Sequence, residues 1–180
     1  GMMRRVLQEA LGRSIEVPFR RMSYVDAMER YGTDKPDLRF GMEIVDVSAA
    51  FEASGFRVFR ESLSRGERLK ALVVKGWGGQ PRSRLDQLVE KARGLGAAGL
   101  VWICVGPDGF RSSVAKHLSE REIETAARMS GASEGDLMLV VAGAGFTGSR
   151  VLGALRLEIA SELGLLDSSE FAFTWVLDFP

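Results

Sequence analysis

"FRVFRESLSRGERLKALVV", residues 56 to 74, is the stretch on which the fold turns. Phe56 and Val58 alternate with charged neighbours, Arg65, Gly66 and Glu67 supply a turn, and Arg68 to Val74 alternates back. That pattern predicts an antiparallel hairpin. Beyond it, Ser83 with Asp86 has capping-box spacing, and Leu85, Leu88, Val89, Ala92 and Leu95 form a helical stripe ending at Gly96. "GLVWICV" at 99–105 reads as a buried strand closed by "GPDG". Ser119 with Glu122 opens a helix over Ile123, Ala126 and Ala127 that stops near Gly131, and "DLMLVVA" at 136–142 is a further strand before a long helix over 150–163. Two strands, a helix, a strand with an extended segment, a helix and a strand make an α+β chain. The expected form is a two-layer sandwich, a largely antiparallel sheet with helices on one face.

Upstream of the hairpin the texture differs. "RRVLQEALG" reads as a short helix closed by Gly12, and "EIVDV" at 43–47 as a strand, with Ser48 capping a short helix that ends by Gly55. Between them, Ser23 and Asp26 have capping spacing, while Tyr24, Ala27, Met28 and Tyr31 share one helical face that Gly32 terminates. Thr33, Asp34, Lys35, Pro36 and Asp37 cannot prolong that helix, because Pro36 removes a donor and turns Lys35 away from the α region. At the far end, "FTWVLDFP" is a strand whose apolar character calls for a neighbour. The expected division is therefore 1–50 and 149–180 as two flanks of one body, with 51–148 inserted between them.

The 180 residues are 46% apolar, and 24 basic residues balance 24 acidic ones. No apolar run approaches the ~20 residues of a membrane span, and the balanced charge does not suit a strongly basic nucleic-acid binder. Gly1 ahead of Met2 and Met3 reads as a processing scar, and the expected location is cytoplasmic, with no membrane partner. Charge is uneven, however. Arg57, Arg60, Arg65, Arg68, Lys70, Lys75, Arg82 and Arg84 face only Glu61 and Glu67 between 57 and 84, so these eight are the candidates for a nucleic-acid contact.

Residue chemistry offers no catalytic set. His117 is the only histidine, which leaves a serine triad or a multi-histidine metal site without its parts. Cys104 is the only cysteine and reads as a small buried hydrophobe; Asp34, Asp37 and Asp46 lack the spacing of an EF-hand, so no metal site is expected. "VVAGAGFTGS" matches GxGxxG through Gly143, Gly145 and Gly148 between a strand and a helix, a dinucleotide-binding alternative. A second parallel strand ending in an acid about 20 residues on is missing, and the alternative reading is a glycine turn into a helix capped by Ser149.

"RRMSYVDAMERYGTDKPDLRFGMEIVDVS" resembles the segment of bacterial-type aspartyl-tRNA synthetases that leads out of the catalytic domain into a large insertion. "LGALRLEIASELGLLDSSEFAFTWVLDFP" is similar to the segment that returns, and "GAAGLVWICV", "SSVAKHLSE" and "GDLMLVVAG" resemble stretches of the insertion itself, the GAD domain. The resemblance implies a two-layer α+β fold at 51–148 and a parent ligase that attaches aspartate to tRNA with ATP and Mg²⁺, forming AMP and pyrophosphate. It implies as partners the rest of the catalytic domain and tRNA, the latter at the acceptor end. The arginine-bearing ATP motif and the glycine-rich "GLDR" motif of such enzymes have no counterpart here, so the chain alone is expected to be non-catalytic and without a cofactor. "AGAGFTGSRV" departs from the family's charged loop at that point. Two other readings stay open: a GAD module of a tRNA-dependent amidotransferase, and a small dinucleotide-binding protein. Self-association through the uncovered flanks is expected.

Overall fold

The computed structural model describes Glu9, Gly12 and residues 18–107 and 109–180. Along the chain come β1 (Arg20–Ser23), α1 (Tyr24–Tyr31), β2 (Ile44–Asp46), a 3-10 turn (Ser48–Phe51), α2 (Arg57–Ser64) and β3 (Arg68–Val74). They are followed by α3 (Arg82–Gly94), β4 (Val101–Gly106), β5 (Gly109–Ser112), a second 3-10 turn (Ala115–His117), α4 (Glu120–Ser130), β6 (Leu137–Gly143), α5 (Thr147–Glu162) and β7 (Thr174–Leu177). The helix expected over "RRVLQEALG" lies, apart from Glu9 and Gly12, outside the described residues.

The hairpin expected over 56–74 is instead α2 followed by β3. Phe59 is buried to 2% exposure while Val58 is 48% exposed, the reverse of what alternation from Phe56 and Val58 requires. Phe56, Phe59 and Leu63 form the inward stripe at helical spacing, and Phe59 packs edge-on against Phe56 and Phe51 at ring distances of 5.0 and 4.9 Å. Gly66, at φ +76°, then turns the chain into β3.

Two expected capping boxes form. Ser23 with Asp26 caps α1, Ser119 with Glu122 caps α4, and each helix ends on a left-handed glycine, Gly32 or Gly131. The third does not: α3 starts at Arg82 behind Pro81 without a side-chain cap, and Asp86 instead accepts from Arg82 Nε at 2.9 Å. Ser48, expected to cap, accepts the Leu69 amide at 2.9 Å and so pins the 3-10 turn to β3.

β2, β3, β6, β4 and β5 lie side by side in that order, every neighbour antiparallel. The α+β class and the antiparallel sheet agree with expectation, but helices cover both faces. On one face, α3 and α5 bring Leu85, Leu88, Leu152 and Leu155 onto Leu72 and Leu139. On the other, α2, α4 and the first 3-10 turn bring Phe59, Ile123 and Phe51 onto Leu69 and Met138. The reason lies in β6: "LMLVVAG" is apolar at odd and even positions alike, and a strand of that kind needs cover on both sides. Each fully buried leucine contributes roughly 2 kcal/mol on either face.

β1 and β7 form a separate parallel pair, with Arg20 opposite Thr174 and Ser23 opposite Leu177. The chain that leaves this pair at Ser23 re-enters it at Thr174, so the five-stranded sheet and its helices lie between two neighbouring strands.

Candidate nucleic-acid interface

The eight basic residues expected to act together are divided by the fold. Arg57 and Arg60 stand on α2, and Arg65 and Arg68 flank the turn into β3; all four are exposed. Among the described residues the side chains of Arg60 and Arg68 have no hydrogen-bonding or ionic partner, that of Arg57 makes only a 3.7 Å pair with Glu61, and Arg65 Nε donates to Glu67 at 2.9 Å. Lys75 follows the other end of β3, about 20 Å away at ~3.3 Å per strand residue, and its Nζ donates to Asp136 at 2.8 Å. Arg82 pairs with Asp86 and Arg84 with Glu162.

Lys70 is buried, and its ammonium group donates to Glu29 of α1 and, at 3.2 Å, to Asp46 of β2. It therefore joins the outgoing segment to the sheet and is turned away from solvent. Of the eight, Arg57, Arg60, Arg65 and Arg68 share one end of the fold, on α2 and the turn into β3.

Glycines let that joint close. A Cβ on Gly32 would lie 2.0 Å from the Ser149 carbonyl oxygen, and one on Gly153 would lie 2.3 Å from the Tyr31 oxygen, so the end of α1 and α5 touch through backbone. Ser149 caps nothing; it is fully buried in the first turn of α5 and donates to the Glu29 carbonyl at 3.3 Å. Arg156, one turn beyond Gly153, is 1% exposed. Its guanidinium donates to the carbonyls of Asp37, Phe40, Gly41 and Met42 at 2.8–3.0 Å and lies 4.0 Å over the Phe40 ring. Burial lowers its pKa from the ordinary arginine value, and its Nε and Nη2 donate to all four carbonyls. This one side chain shapes the loop after "DKP", within which Arg39 grips Asp37 and also reaches the Asp167 carbonyl at 2.7 Å. Neither periodicity nor motif points to Arg156, since a helix reading puts an arginine on the wet face; the signal available was its place in the apolar stripe of α5.

The GxGxxG turn serves packing. β6 is antiparallel to both β3 and β4, whereas the dinucleotide fingerprint needs parallel neighbours. A Cβ on Gly143 would meet the Gly148 nitrogen at 2.8 Å, and Gly148 sits over the Lys70 stem and the Val141 carbonyl. Gly145, at φ +50°, makes the turn between them.

Beside this turn a cleft of about 690 Å³ opens at the end of the sheet, between α2 and α3. Phe56, Phe59, Val89, Leu100 and Trp102 give it apolar walls, and Arg65, Arg82 and Arg93 stand at its rim, each closed on a carboxylate. The β4 register with β6 stops at Val101 opposite Val140, while β6 continues to Gly143 paired with β3 alone.

His117 stacks on Phe56 at 5.6 Å at the end of a 3-10 turn, ahead of α4. Cys104 is buried, and burial raises its thiol pKa. Among the described residues no three of His, Cys, Asp and Glu converge on a point that could hold a metal. No helix among them is long and apolar enough to cross a membrane.

Residues 59–151 match the GAD domain family. Over 180 residues, 99% of this chain, it is 46% identical to an aspartate–tRNA(Asp/Asn) ligase of Moorella thermoacetica, and over the same span 41% identical to an aspartate–tRNA ligase of Agathobacter rectalis. An aspartate–tRNA ligase of Exiguobacterium sibiricum is 44% identical over an equal span. The chain spans about 30% of the length of these curated relatives.

Proposed function

Since the chain belongs to the GAD domain family, we propose that it is the inserted portion of an aspartate–tRNA ligase together with the segments of the catalytic domain that lead into and out of it. The observation that carries this reading is the pairing of β1 with β7: the sheet domain leaves and rejoins one parallel ladder, as an insertion must. The whole enzyme would couple aspartate to tRNA with ATP, releasing AMP and pyrophosphate. ATP and Mg²⁺ would be held by parts of the ligase beyond this chain. On this reading the chain alone is non-catalytic, its partner is the remainder of the catalytic domain, and Arg57, Arg60 and Arg68 touch the tRNA acceptor end through phosphates, while Arg65 is held by Glu67.

Fluorescence anisotropy of labelled aspartate tRNA and an unrelated tRNA, titrated with this chain at low and moderate salt, tests the contact. The expected result is selective, salt-sensitive binding that weakens several-fold in Arg60→Glu and Arg68→Glu and barely changes in Lys75→Glu, whose ammonium lies at the other end of β3. Equal indifference to both tRNAs would overturn the contact. Aspartate-dependent ATP–pyrophosphate exchange by this chain alone would overturn the non-catalytic reading. Antiparallel β6 weighs against the dinucleotide alternative, and flanks at both ends matching aspartate–tRNA ligases weigh against an amidotransferase module.

A further inference from the structure

We infer that the cleft between α2 and α3 is a nucleobase site, taking a planar, uncharged heterocycle with adjacent hydrogen-bond donor and acceptor, supplied as a free nucleoside or as an unpaired base of an RNA. Four observations lead there. First, about 690 Å³ falls in the range of sites that enclose small organic ligands, roughly 300–1,000 Å³. Second, the walls are apolar and aromatic, while Arg65, Arg82 and Arg93 are neutralised by Glu67, Asp86 and Glu90, so the interior attracts a flat apolar body more than a phosphate. Third, Trp102, which lines the cleft, is 3% exposed and its indole N–H has no acceptor among the described residues. A buried donor left in that state is costly, and because the nitrogen is closed to solvent, an acceptor in the cleft reaches it once the covering Arg82 side chain, 5.4 Å over the ring, swings aside.

The fourth is the open end of β6. Val105 donates to the Asp136 carbonyl, which sets the phase of the β4–β6 ladder: residues 138 and 140 turn their N–H and C=O toward β4. By the same alternation Ala142 turns its N–H and C=O to that side, where β4 has already ended and no backbone partner stands among the described residues. Ala142 lines the cleft. One amide donor and one acceptor, side by side at the foot of an aromatic wall, match the edge of a base as they match a peptide.

The RNA-borne form of this ligand rests on the nucleic-acid reading above, with the outer arginines Arg57, Arg60 and Arg68 holding phosphates; the base site itself does not. The test follows the Trp102 indole N–H by proton–nitrogen NMR in the 180-residue chain, its resonance assigned by loss in Trp102→Phe. Adenosine, uridine, an RNA hairpin with a single-stranded 3′ overhang and the same hairpin with a blunt end are the probes. A shift of the Trp102 resonance with either nucleoside identifies a free-nucleoside site; a shift with the overhang hairpin alone identifies an RNA-borne base. In both cases Val89→Phe, which fills the cleft, should weaken that binding about tenfold, the scale of one lost base stack, and leave the blunt hairpin unaffected. No shift with any probe at millimolar concentration, or a folded Val89→Phe that binds as before, overturns the base site. Blunt-hairpin binding that persists beside such a failure leaves the arginine contact standing, so the two readings fall separately.

Discussion

Arg156 holds the loop after α1 in place with donors alone. Its guanidinium meets four carbonyls and two aromatic rings and no carboxylate within hydrogen-bonding distance, so it acts as a template on which residues 37–42 are wound. Arg156→Met should lower stability by about 3 kcal/mol in urea unfolding, because it strands buried acceptors. Hydrogen exchange should then rise first at 37–42 and leave β3 and β6 protected. Asp136 is the corresponding anion. Burial pushes its carboxyl upward, but Lys75, the Gly76 amide and Ser133 overcome that and hold it at about 2. Its folded pKa is thus below the unfolded one, near 4, so its stabilisation is complete above pH ~4 and is lost as pH falls toward ~2. Asp136→Asn should remove roughly 2 kcal/mol at pH 7 and flatten the acid limb of a stability–pH profile; an unchanged limb would count against the assignment. Neither residue is marked as an anchor by its type, because a buried charge is defined by what surrounds it; Arg156 is signalled only by its place in the apolar stripe of α5.

Helix α2 and strand β3 are where the period of the pattern mattered most. Seven residues, "RVFRESL", accommodate an alternating and a helical stripe, and the choice is made by whether a surface exists to receive Phe59. The fold supplies it through the second face of the sheet. Thermal unfolding followed by circular dichroism distinguishes the two: Val58→Lys should shift the midpoint little, and Phe59→Lys should prevent folding at 37 °C, whereas an alternating strand would give the opposite order. The caps of α1 and α4, by contrast, were legible because Ser23–Asp26 and Ser119–Glu122 bond within their own four residues. Ser119→Ala should cost about 1 kcal/mol.

On the scale of the whole molecule, the five-stranded sheet and the β1–β7 pair are joined at α5, which packs on β3 and β6 and also meets α1 through Gly32 and Gly153. Gly153→Ala should therefore loosen the joint, costing roughly 1–3 kcal/mol by forcing backbone apart, with protection lost at α1 before the five-stranded sheet in hydrogen exchange. The parallel pair is short, and a two-stranded ladder is marginal by itself. Phe171, Trp175 and Phe179 are each about half exposed around it. We predict concentration-dependent self-association of the chain in sedimentation velocity, reduced by Trp175→Ser with Phe179→Ser; a sharp monomer across the concentration range would refute it.

By itself the sequence determined the α+β class, the three strands at 68–74, 101–106 and 137–143 that make the middle of the sheet, and the ends of α1 and α4, because each depends on residues within a few positions of one another. It also carried, through its two flanks, the resemblance to aspartyl-tRNA synthetases. Tertiary structure alone decided that 57–64 is a helix, that helices cover both faces, that Lys70 faces inward while Arg60 and Arg68 face out, and that Arg156 is buried. Those outcomes depend on contacts between residues 40 to 120 positions apart, where burial and the demand that every buried polar group find a partner outweigh local pattern.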